Sequence, residues 1–310
     1  MNTPTSDKIV SPGAVLKQVA DAVPGDFHKN IIIVGSLAAG YYFFGDKPEL
    51  QVRTKDVDCL ISPRIQAIHA GKAVTDGLFA RKWQLRSEGQ WGKPGDDSTP
   101  PNELPVVRLH PPGSTEWFIE LLTGPESESD LGREDIRLVT SQGHFNLCSF
   151  GFLSLAEFEP VATPFGIAIA LPETMALANL LHHPTIGKQT MSSLIGGRSI
   201  KRGNKDLGRV LALAYLAEVR KEDSVQKWPA VWTAALQSRF PTTWRKLASQ
   251  VGGGLRQLLS RKHMPDLEEA GHTCANGLLV SQPPTLALLR ATGLRLLQDA
   301  IEPLEKLSIQ

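Results

Sequence analysis

Ile31-Ile32-Ile33-Val34-Gly35-Ser36, followed by Lys55-Asp56-Val57-Asp58-Cys59-Leu60-Ile61, is the part of this chain from which its architecture can be read. The first run is short, β-branched and closed by glycine, which predicts a buried strand over 31–34. Leu37 to Phe44 then reads as a helix. Gly35 permits a tight turn and close approach of a ligand. Ser36 falls at the helix start, where free N–H groups and the helix dipole favour an anion. The second run predicts a strand over 57–61 with carboxylates at alternate positions. Side chains alternate across a strand, so Asp56 and Asp58 share one face and Val57 enters the core. Two neighbouring carboxylates repel unless a cation lies between them. All-oxygen ligands suit a hard ion such as Mg²⁺, which also takes oxygens from substrate phosphates.

A third carboxylate follows. Pro105–His110 and Glu116–Leu122 flank a Pro-Pro-Gly-Ser turn and read as a β-hairpin. Glu120 lies between Ile119 and Leu121, a charge set into an apolar strand, which is costly unless paired or metal-bound. Glu116, four residues earlier and nearer the turn, reads as a solvated strand end.

With these residues in hand, the chain resembles the DNA polymerase beta-like nucleotidyltransferase superfamily. The resemblance lies in Gly35-Ser36 followed by Asp56-Val57-Asp58 between hydrophobic residues. The strings Val34-Gly-Ser-Leu-Ala-Ala39 and Arg53-Thr-Lys-Asp-Val-Asp58 are closest to the AbiEii-type branch, which includes toxins of toxin–antitoxin and phage-defence systems. The likeness is clear over residues 30–122. It implies an α/β nucleotidyltransferase fold: a mixed sheet flanked by helices over 1–170, then a mostly helical region over 171–310. It also implies Asp56, Asp58 and Glu120 as catalytic and metal-holding residues for Mg²⁺ or Mn²⁺. The β- and γ-phosphates of an NTP would lie against Ser36 and the amides around Gly35, with Arg53 and Lys55 among the nucleotide-binding residues. A nucleoside monophosphate would pass to a hydroxyl on RNA (tRNA included), a protein or a small molecule, and a cognate antitoxin is an implied partner.

The second half adds Arg198-Ser-Ile-Lys-Arg-Gly-Asn-Lys-Asp-Leu-Gly-Arg209. Arg202, Lys205 and Arg209 are spaced by three and four, so they share a helix face. Lys205-Asp206 is similar to the Lys-Asp element that completes the nucleotide site in the AbiEii-type branch, which places Arg202, Lys205 and Asp206 among the expected nucleotide contacts. Two departures stand out. The branch carries a lysine on the preceding helix, and that position falls near Asn179 here. It also repeats an aspartate where this chain has Arg209; Lys188 and Lys201 are the available substitutes for the lysine. The alternative reading is therefore a catalytically silent module of the same fold that binds nucleotide or a protein partner.

Composition frames these expectations. The 310 residues carry 33 Lys plus Arg against 32 Asp plus Glu, a balance that argues against a broad non-specific nucleic-acid binder. The first 150 residues are the more acidic half and the remainder the more basic. The N-terminus lacks a signal-peptide pattern and no apolar run reaches transmembrane length, so no membrane association is expected. Cys59, Cys148 and Cys274 are widely spaced and odd in number, which suits a reducing cytoplasm. His263, His272 and Cys274 match no standard zinc spacing. A first helix is expected to open at Ser11-Pro12, with others near 63–80, 172–182, 204–220, 224–238, 242–261 and 284–305, and strands within 144–170. A Gly-, Pro-, Asp- and Ser-rich stretch at 89–104 reads as a mobile loop ahead of the hairpin, placed to cover the site, and 123–135 as a second polar loop.

Overall fold

A computed structural model describes residues 9–45, 47, 49–86, 93–220 and 224–309. It is a mixed α/β structure. The first half runs β1 (Ile9–Val10), α1 (Pro12–Ala22), β2 (Ile31–Val34), α2 (Gly35–Phe44), β3 (Val52–Arg53) and β4 (Asp56–Ile61). Then come α3 (Ala67–Ala80), β5 (Gln84–Leu85), β6 (Arg108–His110) and β7 (Phe118–Thr123). β8 (Arg133–Thr140), β9 (Gly143–Phe150), β10 (Val161–Ala162) and β11 (Ala168–Ile169) complete the strands. The second half is helical: α4 (Pro172–His182), α5 (Arg202–Arg220), α6 (Trp228–Arg239), α7 (Trp244–Ala248), α8 (Gly253–Leu259) and α9 (Met264–Ala275). α10 (Leu286–Leu296), a π-helical turn at Leu297–Ile301 and α11 (Glu302–Leu307) close it.

The main sheet has the order β10-β11-β2-β4-β7-β6-β5, with β9 also on β7 and β8 on β9. β4 lies at its centre, antiparallel to β2 and parallel to β7, while β6 is antiparallel to β7. The register sets Asp58 opposite both Val34 and Glu120, and Glu120 opposite Arg108. The expected alternation holds: Val57 and Cys59 are buried, while Asp56 and Asp58 are only partly so.

Several boundaries differ from expectation. α2 starts at Gly35, two residues early, because Gly35 itself enters the first helical turn with φ +77°. The segment after Ser62 opens with a 3-10 turn, Arg64–Gln66, before α3. The helix expected over 242–261 is two short ones, Trp244–Ala248 and Gly253–Leu259, broken over 249–252. The polar loop expected over 123–135 ends early: Arg133–Asp135 already pair with Phe150, Ser149 and Cys148 as the start of β8, a strand the sequence did not announce. Of the 89–104 loop, residues 89–92 lie outside the described residues. The remainder is pinned to the β8–β9 hairpin: Gly95 and His144 exchange two backbone hydrogen bonds of 2.9 Å, and Arg137 Nη1 donates to Asp96 O at 2.7 Å.

One apolar core runs through both halves. Ile33, Leu37, Val57, Ile119, Leu177, Leu211 and Trp232 all belong to it. α2 packs against α1, α4 and α5, so the helical half forms one wall of whatever opens at the start of α2. No described helix is long and apolar enough to cross a membrane.

Candidate functional site

β2 ends and α2 begins at Gly35, directly beside β4. A Cβ on Gly35 would stand 2.8 Å from Asp58 Oδ2, and φ is +77°, so both space and backbone restrict this position to glycine. The Gly35 N–H is directed at Met175 Sδ, 3.2 Å away on α4. Ser36, in the first turn of α2, lines an open cleft between the sheet and the helical half. The cleft encloses only about 110 Å³ and opens broadly to solvent.

Asp56 reaches this cleft, together with Arg53, Thr54 and Lys55 from the β3–β4 connection and Lys205 and Arg209 from α5. Thr54 Oγ1 donates to Asp56 Oδ1 at 2.9 Å. Burial works to raise the Asp56 proton affinity. Lys205, the Thr54 hydroxyl, Arg209 and Lys55 outweigh it, and the carboxyl is held below its ordinary range. Asp58 is pushed the other way, to about 8, by burial and by the negative charges of Asp56 and Glu120. The pair thus favours one proton or one cation between its members.

Glu120 is brought beside Asp58, but it is engaged: Arg108 Nε lies 2.5 Å from Glu120 Oε2. Burial raises the Glu120 proton affinity and Arg108 opposes the rise. The Arg108 and Arg86 guanidiniums also lie over the Phe118 ring, at 5.6 and 4.5 Å from its centroid. Among the described residues no group of three or more His, Cys, Asp or Glu side chains is arranged to hold a metal ion. The partly buried Asp56–Asp58 pair, with Asp58 protonated near neutrality, has the charge demand of a cation site. Glu120, the third carboxylate expected from the sequence, is ion-paired to Arg108 here.

The basic stretch at 198–209 divides. Lys205 and Arg209 line the cleft, whereas Arg202 is exposed and Lys201 is ion-paired to Asp266 at 2.6 Å. Asp206 turns away to His183 Nε2, at 2.7 Å, and is held down to about 2 despite burial by that bond and by Lys205 and Arg209. Asn179 is partly buried on α4, Lys188 is exposed and Glu116 is exposed. His263 pairs with Asp266, His272 Nε2 meets Ile195 O, and Cys274 Sγ meets Gly208 O, so those three side chains have separate tasks. The three cysteines are all free and buried.

Two contributors carried no sequence motif. One is Thr54, legible only as a hydroxyl two residues before Asp56. The other is the segment between α4 and α5, whose Met191, Ser193 and Ile195 form a strap on the cleft. Lys55 Nζ donates to Ser193 Oγ at 3.1 Å and secures it. Strap residues Ser192 and Leu194 are exposed, and with Ser193 on the cleft and Leu194 outward the segment carries no apolar alternation by which the sequence could have marked it. Set against known proteins, the chain matches no family model, no curated protein and no solved structure.

Proposed function

We propose that the protein is a divalent-metal-dependent nucleotidyltransferase of the DNA polymerase beta-like, AbiEii-type kind, transferring a nucleoside monophosphate from an NTP to a hydroxyl acceptor such as RNA. The observation that carries this reading is the meeting in one cleft of Ser36, Asp56, Lys55, Lys205 and Arg209, with Asp58 immediately beside it. The motif resemblance over 30–122 supports it.

In this reading Lys205, Arg209 and Lys55 bind the triphosphate, with Ser36 and the first turn of α2 facing its outer phosphates. Asp56 and Asp58 would hold the Mg²⁺ or Mn²⁺. Bound there, the ion supplies neutralisation of phosphate charge and a lower pKa for an attacking hydroxyl. Thr54 fixes the Asp56 rotamer. Glu120 stands next to Asp58 with raised proton affinity, placed to accept the acceptor hydroxyl's proton. The chain's main contribution is alignment and charge stabilisation. Toxin activity and a cognate antitoxin remain parts of the proposal that the resemblance alone supports.

A second reading has its own observation. Lys55, Lys205 and Arg209 already neutralise Asp56, and Arg108 already neutralises Glu120. That suits a silent module that binds nucleotide without transfer. The two readings separate in one assay: the full chain with each α-labelled NTP, Mg²⁺ or Mn²⁺ and total tRNA, beside Asp58→Asn. Label on RNA or protein that disappears in Asp58→Asn supports the transferase. Metal-dependent NTP binding without label under every combination supports the silent module, and a fully active Asp58→Asn would sink the enzyme reading.

A further inference from the structure

The Arg108–Glu120 ion pair ends a line of charge that crosses three strands. Asp58 on β4 is opposite Glu120 on β7, and Glu120 is opposite Arg108 on β6. Directly opposed residues on paired strands share a face of the sheet. β7 lies between the other two strands, so Arg108 and Asp58 flank Glu120 from opposite sides. An ion pair as buried as this one, with side chains 16% and 14% exposed, adds little net stability, because desolvation offsets the attraction. The pair therefore calls for a reason other than holding the sheet together.

The contact is one-sided. Arg108 Nε donates to Glu120 Oε2 at 2.5 Å, and Glu120 Oε1 accepts no hydrogen bond among the described residues. The guanidinium is itself located by Phe118, which stands two residues before Glu120 on the same strand face, with its ring centre 5.6 Å away. A fork-to-fork pairing would occupy both carboxylate oxygens. This one holds the oxygen on the β6 side and leaves the other for the side on which Asp58 stands. Arg108 is also not a cation of the phosphate cleft. It is not among the residues that line the cleft, and the cations acting most strongly on Asp56 and Asp58 are Lys205 and Arg209, joined by Lys55 at Asp56.

We infer that Arg108 is a positioning residue for the transfer step: it fixes Glu120 by Oε2 so that Oε1 meets the acceptor hydroxyl beside Asp58. The inference deepens the transferase reading above and rests on it. In the step it serves, the hydroxyl proton passes to Oε1, the hydroxyl oxygen bonds the α-phosphorus of the NTP, and the bond from that phosphorus to the departing pyrophosphate breaks. Arg108 touches none of the reacting atoms. A carboxylate free to rotate would spend most of its time out of hydrogen-bond reach of the hydroxyl, and that loss of alignment costs rate. The pairing that neutralises Glu120 is then an alignment and not a block.

The test is the steady-state rate at which the full-length protein, in Mg²⁺ or Mn²⁺, moves label from α-labelled NTP to total tRNA or to itself. Glu120→Gln is expected to lower kcat by about a hundredfold or more, the usual worth of a general base. Arg108→Gln should lower kcat by about tenfold or more while the KM for NTP stays within about twofold, since a misplaced base costs rate and not nucleotide binding. Arg108→Lys keeps the charge but not the planar fork and should fall in between. The double variant Arg108→Gln/Glu120→Gln should match Glu120→Gln within about twofold, because nothing is left for Arg108 to position. It removes both charges together and leaves no unpaired buried carboxylate, so this comparison decides even where Arg108→Gln alone fails to fold. The inference is overturned by wild-type kcat in Arg108→Gln or in Glu120→Gln. It is overturned equally by an Arg108→Gln that raises the KM for NTP with kcat unchanged, or by a double variant well below Glu120→Gln. In each of these cases labelling by the wild type leaves the transferase reading standing. A wild type that labels neither RNA nor itself with either metal removes both.

Discussion

Asp56 and Asp58 are two residues apart, on one strand and one face, yet their proton affinities diverge. Asp56 sits among three cations and a hydroxyl donor, and Asp58 sits between two carboxylates. The sequence foretold the pair, because alternation in a β-branched strand is a local property. It could not foretell the divergence, since Lys205 and Arg209 arrive from about 150 residues away. The divergence has a measurable consequence in metal-free protein. Asp58 binds its proton more tightly folded than unfolded, at about 8 against an ordinary 3.8. Between those values the folded state holds more protons, so stability is greatest below about pH 4 for this group and falls as pH rises to about 8. Relative to Asp58→Asn, the wild type should lose urea resistance steadily from pH 5 to about pH 8 and level off above it. A constant difference in urea midpoint across that range would contradict the assigned environment.

At the scale of elements, β2, α4 and the Glu120 hairpin were legible because each is marked by punctuation that acts locally: glycine after β2, proline at the start of α4, and a Pro-Pro-Gly turn before β7. β8 was not. Its sequence, Arg-Glu-Asp-Ile-Arg-Leu-Val-Thr, has charges on both faces, and half of its residues are neither fully buried nor fully exposed, so no period-two signal survives. The strap between α4 and α5 was also hidden, because it has no apolar periodicity and its place is fixed by Lys55, His272 and the Lys201–Asp266 pair. α5 is the element that brings Lys205 and Arg209 to the cleft. Lys205 and Arg209 are one helical turn apart and partly exposed, so truncating them should cost little fold stability. Lys205→Ala or Arg209→Ala should weaken tripolyphosphate binding by about tenfold each, in line with charge-assisted hydrogen bonds of about 1.5 kcal/mol or more. The loss should shrink as salt is raised, which isothermal titration at two ionic strengths would read directly.

At the scale of the molecule, the cleft exists only because the sheet half and the helical half share a core. Arg239 Nη2 donates to Glu157 O at 2.8 Å, Arg220 Nη1 to Tyr42 O at 2.7 Å, and Gln51 N to Ser281 Oγ at 3.0 Å. Residues 1–170 made alone would expose the side of α2 that α4 and α5 cover. That fragment should show no cooperative thermal transition, whereas the whole chain should unfold in one step by both near-UV and far-UV circular dichroism. The central position of β4 carries a further consequence. Shifting β4 by one residue against β2 and β7 would turn Asp56 and Asp58 into the apolar interior and bring Val57 and Cys59 out. The charges that suit this strand to a ligand therefore also make mispaired versions of the sheet uncompetitive. A lineage that abandoned the chemistry and let both aspartates drift to apolar residues would lose, along with its activity, the penalty that keeps its central strand in frame.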